Sequence, residues 1–207
     1  KSLRNLLIGT TDTIVYNEGA SGNSGLVLVG GSGYYSAARK DGPTNFLNRQ
    51  NSTGDIINFY YNGSKKGSIS TDGSNTAYNT SSDYRLKENV TDITDGITRL
   101  KQLAPKRFNF IGEPDKTVDG FLAHEAQTVI PEAITGTKDE VEVWKEHEEL
   151  PEDVSVGDNK LDADGNTIPE YQSIDQSKLV PLLTAALQEA IAKIETLETK
   201  VAALEAE

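Results

Sequence analysis

The chain of 207 residues contains no cysteine and no methionine. Without cysteine there are no disulfides, no thiolate metal sites and no cysteine nucleophile, and composition says nothing of the redox compartment. Histidine is nearly as scarce, with only His124 and His147. Hydrophobic residues make up 36%, so the core is small and neighbouring chains are expected to help bury it. No apolar run approaches the ~20 residues that span a bilayer, and no signal-peptide pattern opens the chain. Basic residues are outnumbered 20 to 32, for a net charge of −12. That balance argues against duplex DNA or an anionic membrane as the main partner, because both attract cations. The first residue is Lys1 rather than Met, as expected of a piece of something longer.

What is present is unevenly distributed. Residues 1–81 carry a net +2 and the remaining 126 carry −14, while 12 of the 18 glycines lie before Ser82. Such a shift in composition marks a domain boundary. The first part reads as short strands. Gly25 to Gly31 is an apolar run bracketed by glycines, as in a buried strand. Asp55 to Tyr61 and Ser64 to Ser70 flank Asn62-Gly63, the strongest short-range hairpin signal. Such narrow, glycine-interrupted strands bury too little apolar surface to offset backbone ordering at ~1–2 kcal/mol per residue. Burial between identical chains in a fibre is therefore expected, with a small monomeric sandwich as the alternative.

From Ser82 the pattern is mixed. Val90, Ile93, Ile97 and Leu100 give helical spacing within 87–103, interrupted at Asp95-Gly96. Residues 105–111 read as a strand, and 118–130 as a strand end leading into a short helix that stops before Pro131. The acidic stretch 139–156 has no clear period and reads as a solvated insertion. The last segment is a helix capped by Asp175 or Ser177, with Pro181 in its first turns, where a missing N–H costs least. Its heptad seam places Val180, Leu187, Ile194 and Val201 at a, and Leu183, Ala190, Leu197 and Leu204 at d. Lys193 and Lys200 at g would face Glu198 and Glu205 at e of a parallel, in-register neighbour. An amphipathic helix packed on its own domain is the competing reading, better suited to the first half of the segment than to Ile194–Leu204.

The residues for chemistry are few. No nucleophile-elbow pattern surrounds any serine. His147 sits in the acidic stretch and reads as solvated; His124 has no second histidine at ligand spacing and reads as packed near the surface. Asp162-Ala163-Asp164-Gly165 resembles part of a calcium loop. Setting Gly165 at position six puts Lys160 at position one and Tyr171 at position twelve, where Asp and Glu are needed, so a turn is the better reading. Ser82 and Lys87 remain, on the composition boundary. Their spacing alone fits equally a capping serine before a helix with a surface lysine.

Four blocks in order carry a resemblance. They are Ser82-Asp83-Tyr84-Arg85-Leu86-Lys87-Glu88-Asn89, Gly120-Phe121-Leu122-Ala123-His124-Glu125, Asp162-Ala163-Asp164-Gly165-Asn166, and the run from Tyr171 to Leu183. Over Ser82 to about Leu197 the chain resembles the endosialidase-type intramolecular chaperones, self-cleaving C-terminal domains of phage tailspikes and tail fibres. Residues from Asn48 to Ile69 also look like the strand-rich fibre tip that often precedes such domains. The resemblance implies an α+β chain. Residues 1–81 would be a β-rich, trimeric fibre tip, 82–176 an α/β chaperone and autopeptidase domain, and 177–207 a parallel coiled-coil helix. It implies a homotrimer on a phage tail fibre or spike, with the chaperone part released after assembly in the host cytoplasm. The upstream fibre segment would be its folding partner. No cofactor, metal, nucleic acid or membrane is implied.

By the same resemblance Ser82 matches the nucleophile, Lys87 the general base and Glu125 an acidic position, with scission between Ser81 and Ser82. The chemistry suits these residue types. Ser82 Oγ can reach the carbonyl of its own preceding peptide through a five-membered ring, and proximity within one chain replaces substrate binding. A serine hydroxyl is a weak nucleophile and needs a base. A free lysine titrates near ~10.4, so a lysine base at neutral pH needs a drop of ~3 units. Burial and nearby cations in the folded site are expected to supply it, with Arg85 a candidate neighbour. The alternative is a fibre tip that never cuts and binds host-surface glycan through Tyr34, Tyr35, Tyr60 and Tyr61.

Overall fold

The computed structural model describes residues 5–8, 25–29, 34–146, 148 and 150–206. The chain divides into two compact units, Lys1–Asn89 and Val90–Glu207. The described architecture is mixed α/β: several small antiparallel sheets and one long C-terminal helix.

The first unit holds two three-stranded antiparallel meanders. One joins β1 (Asn5–Ile8), β2 (Gly25–Val29) and β3 (Tyr34–Ala38). The other joins β4 (Gly54–Tyr61), β5 (Ser64–Thr71) and β6 (Thr76–Thr80). Asn62 and Gly63 connect β4 to β5 with φ of 47° and 77°. Two consecutive positive φ values are what a two-residue turn needs to match strand twist, and Asn-Gly tolerates them. The β4–β5 ladder shifts register twice. At the second shift Phe59 faces Gly67 while Tyr60 faces Lys65, so Lys66 is the extra residue of a bulge. Among the described residues of this unit little is buried: Val27 is fully covered, whereas Phe59, Tyr60, Tyr61 and Tyr78 are all exposed.

The second unit begins without the helix expected over 87–103. Val90 and Ile93 lie in irregular, exposed chain, and α1 covers only Gly96–Leu100. The physical reason is the Asp95-Gly96 break together with the demand of packing. Gly96 lies so close to the terminal helix that a Cβ there would stand 2.6 Å from the Ala186 nitrogen. Helix α1 is thus a short wedge against a neighbour, with Glu189 Oε2 accepting from the Ile97 amide at 3.0 Å. Strands β7 (Lys106–Asn109) and β8 (Thr117–Gly120) pair antiparallel, and α2 (Ala123–Gln127) follows. Strands β9 (Ile134–Thr135) and β10 (Ser173–Ile174) close the chain around the acidic insertion.

That insertion is more organised than a solvated loop. Bridges join Val141 to Pro169, Val143 to Asn159 and Leu161 to Thr167. Lys160 lies at its centre, 2.6 Å from Glu148 and 3.5 Å from Glu142, with its amine over the Trp144 ring. These carboxylates hold its pKa above the ordinary lysine range. Period-based reading misses such a segment because its pairing is by single bridges rather than runs. His147 lies outside the described residues.

Helix α3 (Leu179–Glu205) is entered through a 3-10 turn, Gln176–Lys178, capped by Asp175. Asp175 Oδ1 accepts from the Ser177 amide at 3.0 Å and from the Ser177 hydroxyl at 2.6 Å, so Asp175 is the cap. The helix has two apolar stripes. Leu179, Leu182 and Ala186 are buried, the two leucines in a core with Val129, Ile130 and Ala133. Seven of the eight a/d positions point elsewhere, Val180, Leu183, Leu187, Ile194, Leu197, Val201 and Leu204 being 46% to 71% exposed, while Ala190 is half-buried. Lys193, placed at g, pairs within its own helix with Glu189 at 2.7 Å. No described helix is long and apolar enough to cross a membrane.

Candidate functional site

The composition boundary is also where the chain leaves the sheet. Ser81 extends β6 by one residue, its amide and hydroxyl both donating to the Lys66 carbonyl at 3.3 Å. The regular β5–β6 register, with Gly67 opposite Thr80, sets the Lys66 carbonyl opposite Ser81. The bond that follows, Ser81–Ser82, is therefore held from upstream by a strand end.

Downstream, residues Tyr84–Leu86 form one 3-10 turn capped by Asp83, not by Ser82. Asp83 Oδ1 accepts from the Arg85 amide at 2.9 Å, satisfying a donor the turn itself cannot. The same carboxylate takes the Arg85 guanidinium in a fork, Nε to Oδ1 at 2.9 Å and Nη2 to Oδ2 at 2.7 Å. These bonds hold the Asp83 carboxyl below the usual carboxylate range. The Leu86 amide bonds to the Asp83 carbonyl and the Lys87 amide to the Tyr84 carbonyl. One tight turn thus shortens a five-residue separation until Lys87 Nζ lies 2.9 Å from Ser82 Oγ.

That distance is hydrogen-bond reach for a nucleophile and its base. With a protonated amine, Lys87 donates and the hydroxyl accepts; with a neutral amine, the hydroxyl can donate along the same line. Ser82 and Lys87 are both exposed in the single chain. The cation expected to assist Lys87, Arg85, is instead engaged by Asp83.

Glu125 belongs to the second unit, on α2. Lys106 Nζ stands 3.3 Å from its Oε2, an ion pair that anchors the helix to β7. That oxygen is itself covered and accepts no hydrogen bond. Asp162 spends its carboxylate on turn amides, at 3.0 Å from Asp164 N and 2.8 Å from Asn166 N. These bonds also lower its pKa. Among the described residues, no three or more His, Asp or Glu gather at metal-ligand distance. A cavity of about 500 Å³ in the second unit is apolar, lined by Leu100, Leu103, Phe121, Leu179 and Leu183 with Gln176. It has no acid–base pair of its own.

Sequence reasoning missed two contributors, the Asp83 cap and the Lys66 carbonyl. An Asp immediately ahead of a short turn is a legible cap signal. The place of that carbonyl depends on pairing that no local pattern encodes.

A serine hydroxyl and a lysine amine thus stand in contact immediately after a strand end. Among known families, residues 82–135, roughly a quarter of the chain, match the one described as the chaperone of endosialidase. Residues 82–135 are therefore similar to an endosialidase-type chaperone domain. No curated protein matches the chain.

Proposed function

We propose that the domain folds and trimerises an upstream tail fibre or spike segment, then releases itself by cutting the Ser81–Ser82 bond. The observation that carries this reading is the 2.9 Å contact between Lys87 Nζ and Ser82 Oγ directly after the bond in question. Ser82 Oγ attacks the Ser81 carbonyl carbon and its proton passes to a neutral Lys87 amine. The C–O bond forms, the C–N bond breaks, and Lys87 returns the proton to the departing Ser82 nitrogen. The product is an ester with a free amine. Water then splits the ester, leaving a Ser81 carboxylate and restoring the Ser82 hydroxyl. Both reacting groups belong to one chain, so orientation is supplied by the strand end and the capped turn. Glu125 matches an acidic position of the family pattern.

Assembly gives the step its timing. Lys87 is exposed in a single chain, and desolvation, which favours the neutral amine, would come from neighbouring copies. The exposed a/d stripe of α3 is suited to bring those copies together, since each apolar side chain moved out of water contributes about 1.5–3 kcal/mol. A threefold coiled coil would register three fibre chains and reduce their closure entropy. The cut would then leave a fibre whose persistence is kinetic.

Expression of the chain followed by a denaturing gel tests the reading. Two pieces, 1–81 and 82–207, are expected. Ser82→Ala and Lys87→Ala should each leave one full-length band while still assembling by native mass measurement. A Ser82→Ala chain that is severed at the same bond would sink the proposal.

A further inference from the structure

The Asp83–Arg85 fork sits between the two groups of the junction and takes part in neither bond of the proposed reaction. Its placement is nonetheless costly to ignore. Asp83 lies four residues before Lys87, close enough for the lysine charge to act on it. A carboxylate with a lysine in reach ordinarily pairs with it, and an opposite charge within ~4–6 Å favours the protonated amine by ~1–3 pH units. Here both carboxylate oxygens are occupied by Arg85, and Lys87 reaches Ser82 instead.

We propose, building on the self-cleavage reading above, that Arg85 is a positioning residue that withholds the Asp83 carboxylate from Lys87. It keeps the lysine on Ser82 and able to give up its proton. Geometry supports the division of labour. The planar guanidinium fits a carboxylate with two parallel bonds, whereas an ammonium meets it as a point charge. Asp83 cannot simply be absent, because its Oδ1 also accepts the Arg85 amide and so caps the turn that brings Lys87 back to Ser82. The turn needs an acceptor at 83, and Arg85 neutralises the side effect of its charge. The other charged groups around the junction are Glu88, next to Lys87, and Lys65 and Lys66 on β5. Lys65 is already paired with Asp55, and Lys66 holds Ser81 through its carbonyl.

The test is a pH profile of scission in the full chain. A short pulse of cell-free synthesis is diluted into buffers from about pH 6 to about pH 9.5, and appearance of the 82–207 piece is timed. For the wild type the rate should rise with pH to a plateau, as neutral amine accumulates. Arg85→Gln should move the midpoint of that rise upward by about one pH unit, roughly tenfold slower at neutral pH, with the plateau largely retained. Adding Asp83→Asn, which keeps an acceptor for the cap and removes the charge, should bring the midpoint back to the wild-type value. Arg85→Lys retains a cation without the fork and should shift the midpoint part of the way; it carries the test if Arg85→Gln fails to assemble by native mass. An Arg85→Gln profile lowered equally at every pH, or a double variant that keeps the shift, overturns the inference and leaves the Ser–Lys reading standing. A wild-type chain uncut at every pH, or a Ser82→Ala chain cut like wild type, removes that reading and this inference with it.

Discussion

At the scale of single residues, what matters at the junction is which groups can lose a proton. Lysine can act as a base once neutral; arginine is never deprotonated in proteins. Lys87→Arg preserves charge and reach, so full-length chain should persist on a denaturing gel; a severed Lys87→Arg chain would show that position 87 supplies only a positive charge. Glu125 offers a different contrast. Its Oε2 is covered and faces Lys106 at 3.3 Å, so Glu125→Gln keeps the shape and removes the charge. A roughly tenfold slower scission with unchanged circular dichroism is the expected outcome. Scission as fast as wild type would confine Glu125 to holding α2 on β7.

At the scale of elements, two glycines carry contacts that no other residue can make. A Cβ at Gly67 would stand 2.5 Å from the Asn79 carbonyl oxygen, and one at Gly96 would stand 2.6 Å from the Ala186 nitrogen. Both obstacles are backbone, so neighbouring elements must part. Gly67→Ala should loosen β6 from β5 at the pair Gly67–Thr80, one residue before Ser81, and slow scission several-fold while leaving the Asp83-capped turn in place. Gly96→Ala should separate α1 from α3 and destabilise the second unit by about 1–3 kcal/mol, measured by denaturant unfolding. A neutral Gly96→Ala would mean that α1 shifts freely along α3.

For the whole molecule, the seam along α3 and the acidic charge set the expectations. Truncation after Ala190 removes Ile194, Leu197, Val201 and Leu204 from the exposed stripe but leaves the buried Leu179, Leu182 and Ala186. The second unit should therefore still fold, while assembly, and with it scission, is lost; sedimentation and a gel read the two outcomes separately. Acid has a definite sign. Asp83, Asp119, Asp162, Asp175 and Glu189 all titrate below the usual carboxylate range because hydrogen bonds favour their charged forms. Their contribution to stability is complete above the unfolded carboxylate values and fades as pH falls through the folded ones. The melting temperature should accordingly drop below about pH 4, and less steeply in an Asp175→Asn chain.

Sequence and structure part company in instructive places. The Asn62-Gly63 hairpin, the short strand and helix over 117–127 and the long terminal helix were legible because each has a local cause: a turn dipeptide, a period, a run of helix formers. The helix expected over 87–103 shrank to α1 because spacing alone does not tell a helix from an irregular segment that happens to repeat. The bridges across 141–169 join distant single residues and so leave no local trace, and the sequence shows only a solvated stretch there. Ser82 and Lys87 were nameable from a motif, yet the motif does not contain the turn that joins them.

Local chemistry wrote the identity of the junction residues, the apolar a/d stripe and the charge contrast between the two parts, since all three are properties of side chains in order along the chain. Which stripe of α3 faces the core, which residue caps the turn and which carboxylate holds Arg85 are properties of groups meeting in space. Those were settled by close packing at Gly96 and Ala186 and by the need of each turn amide for an acceptor.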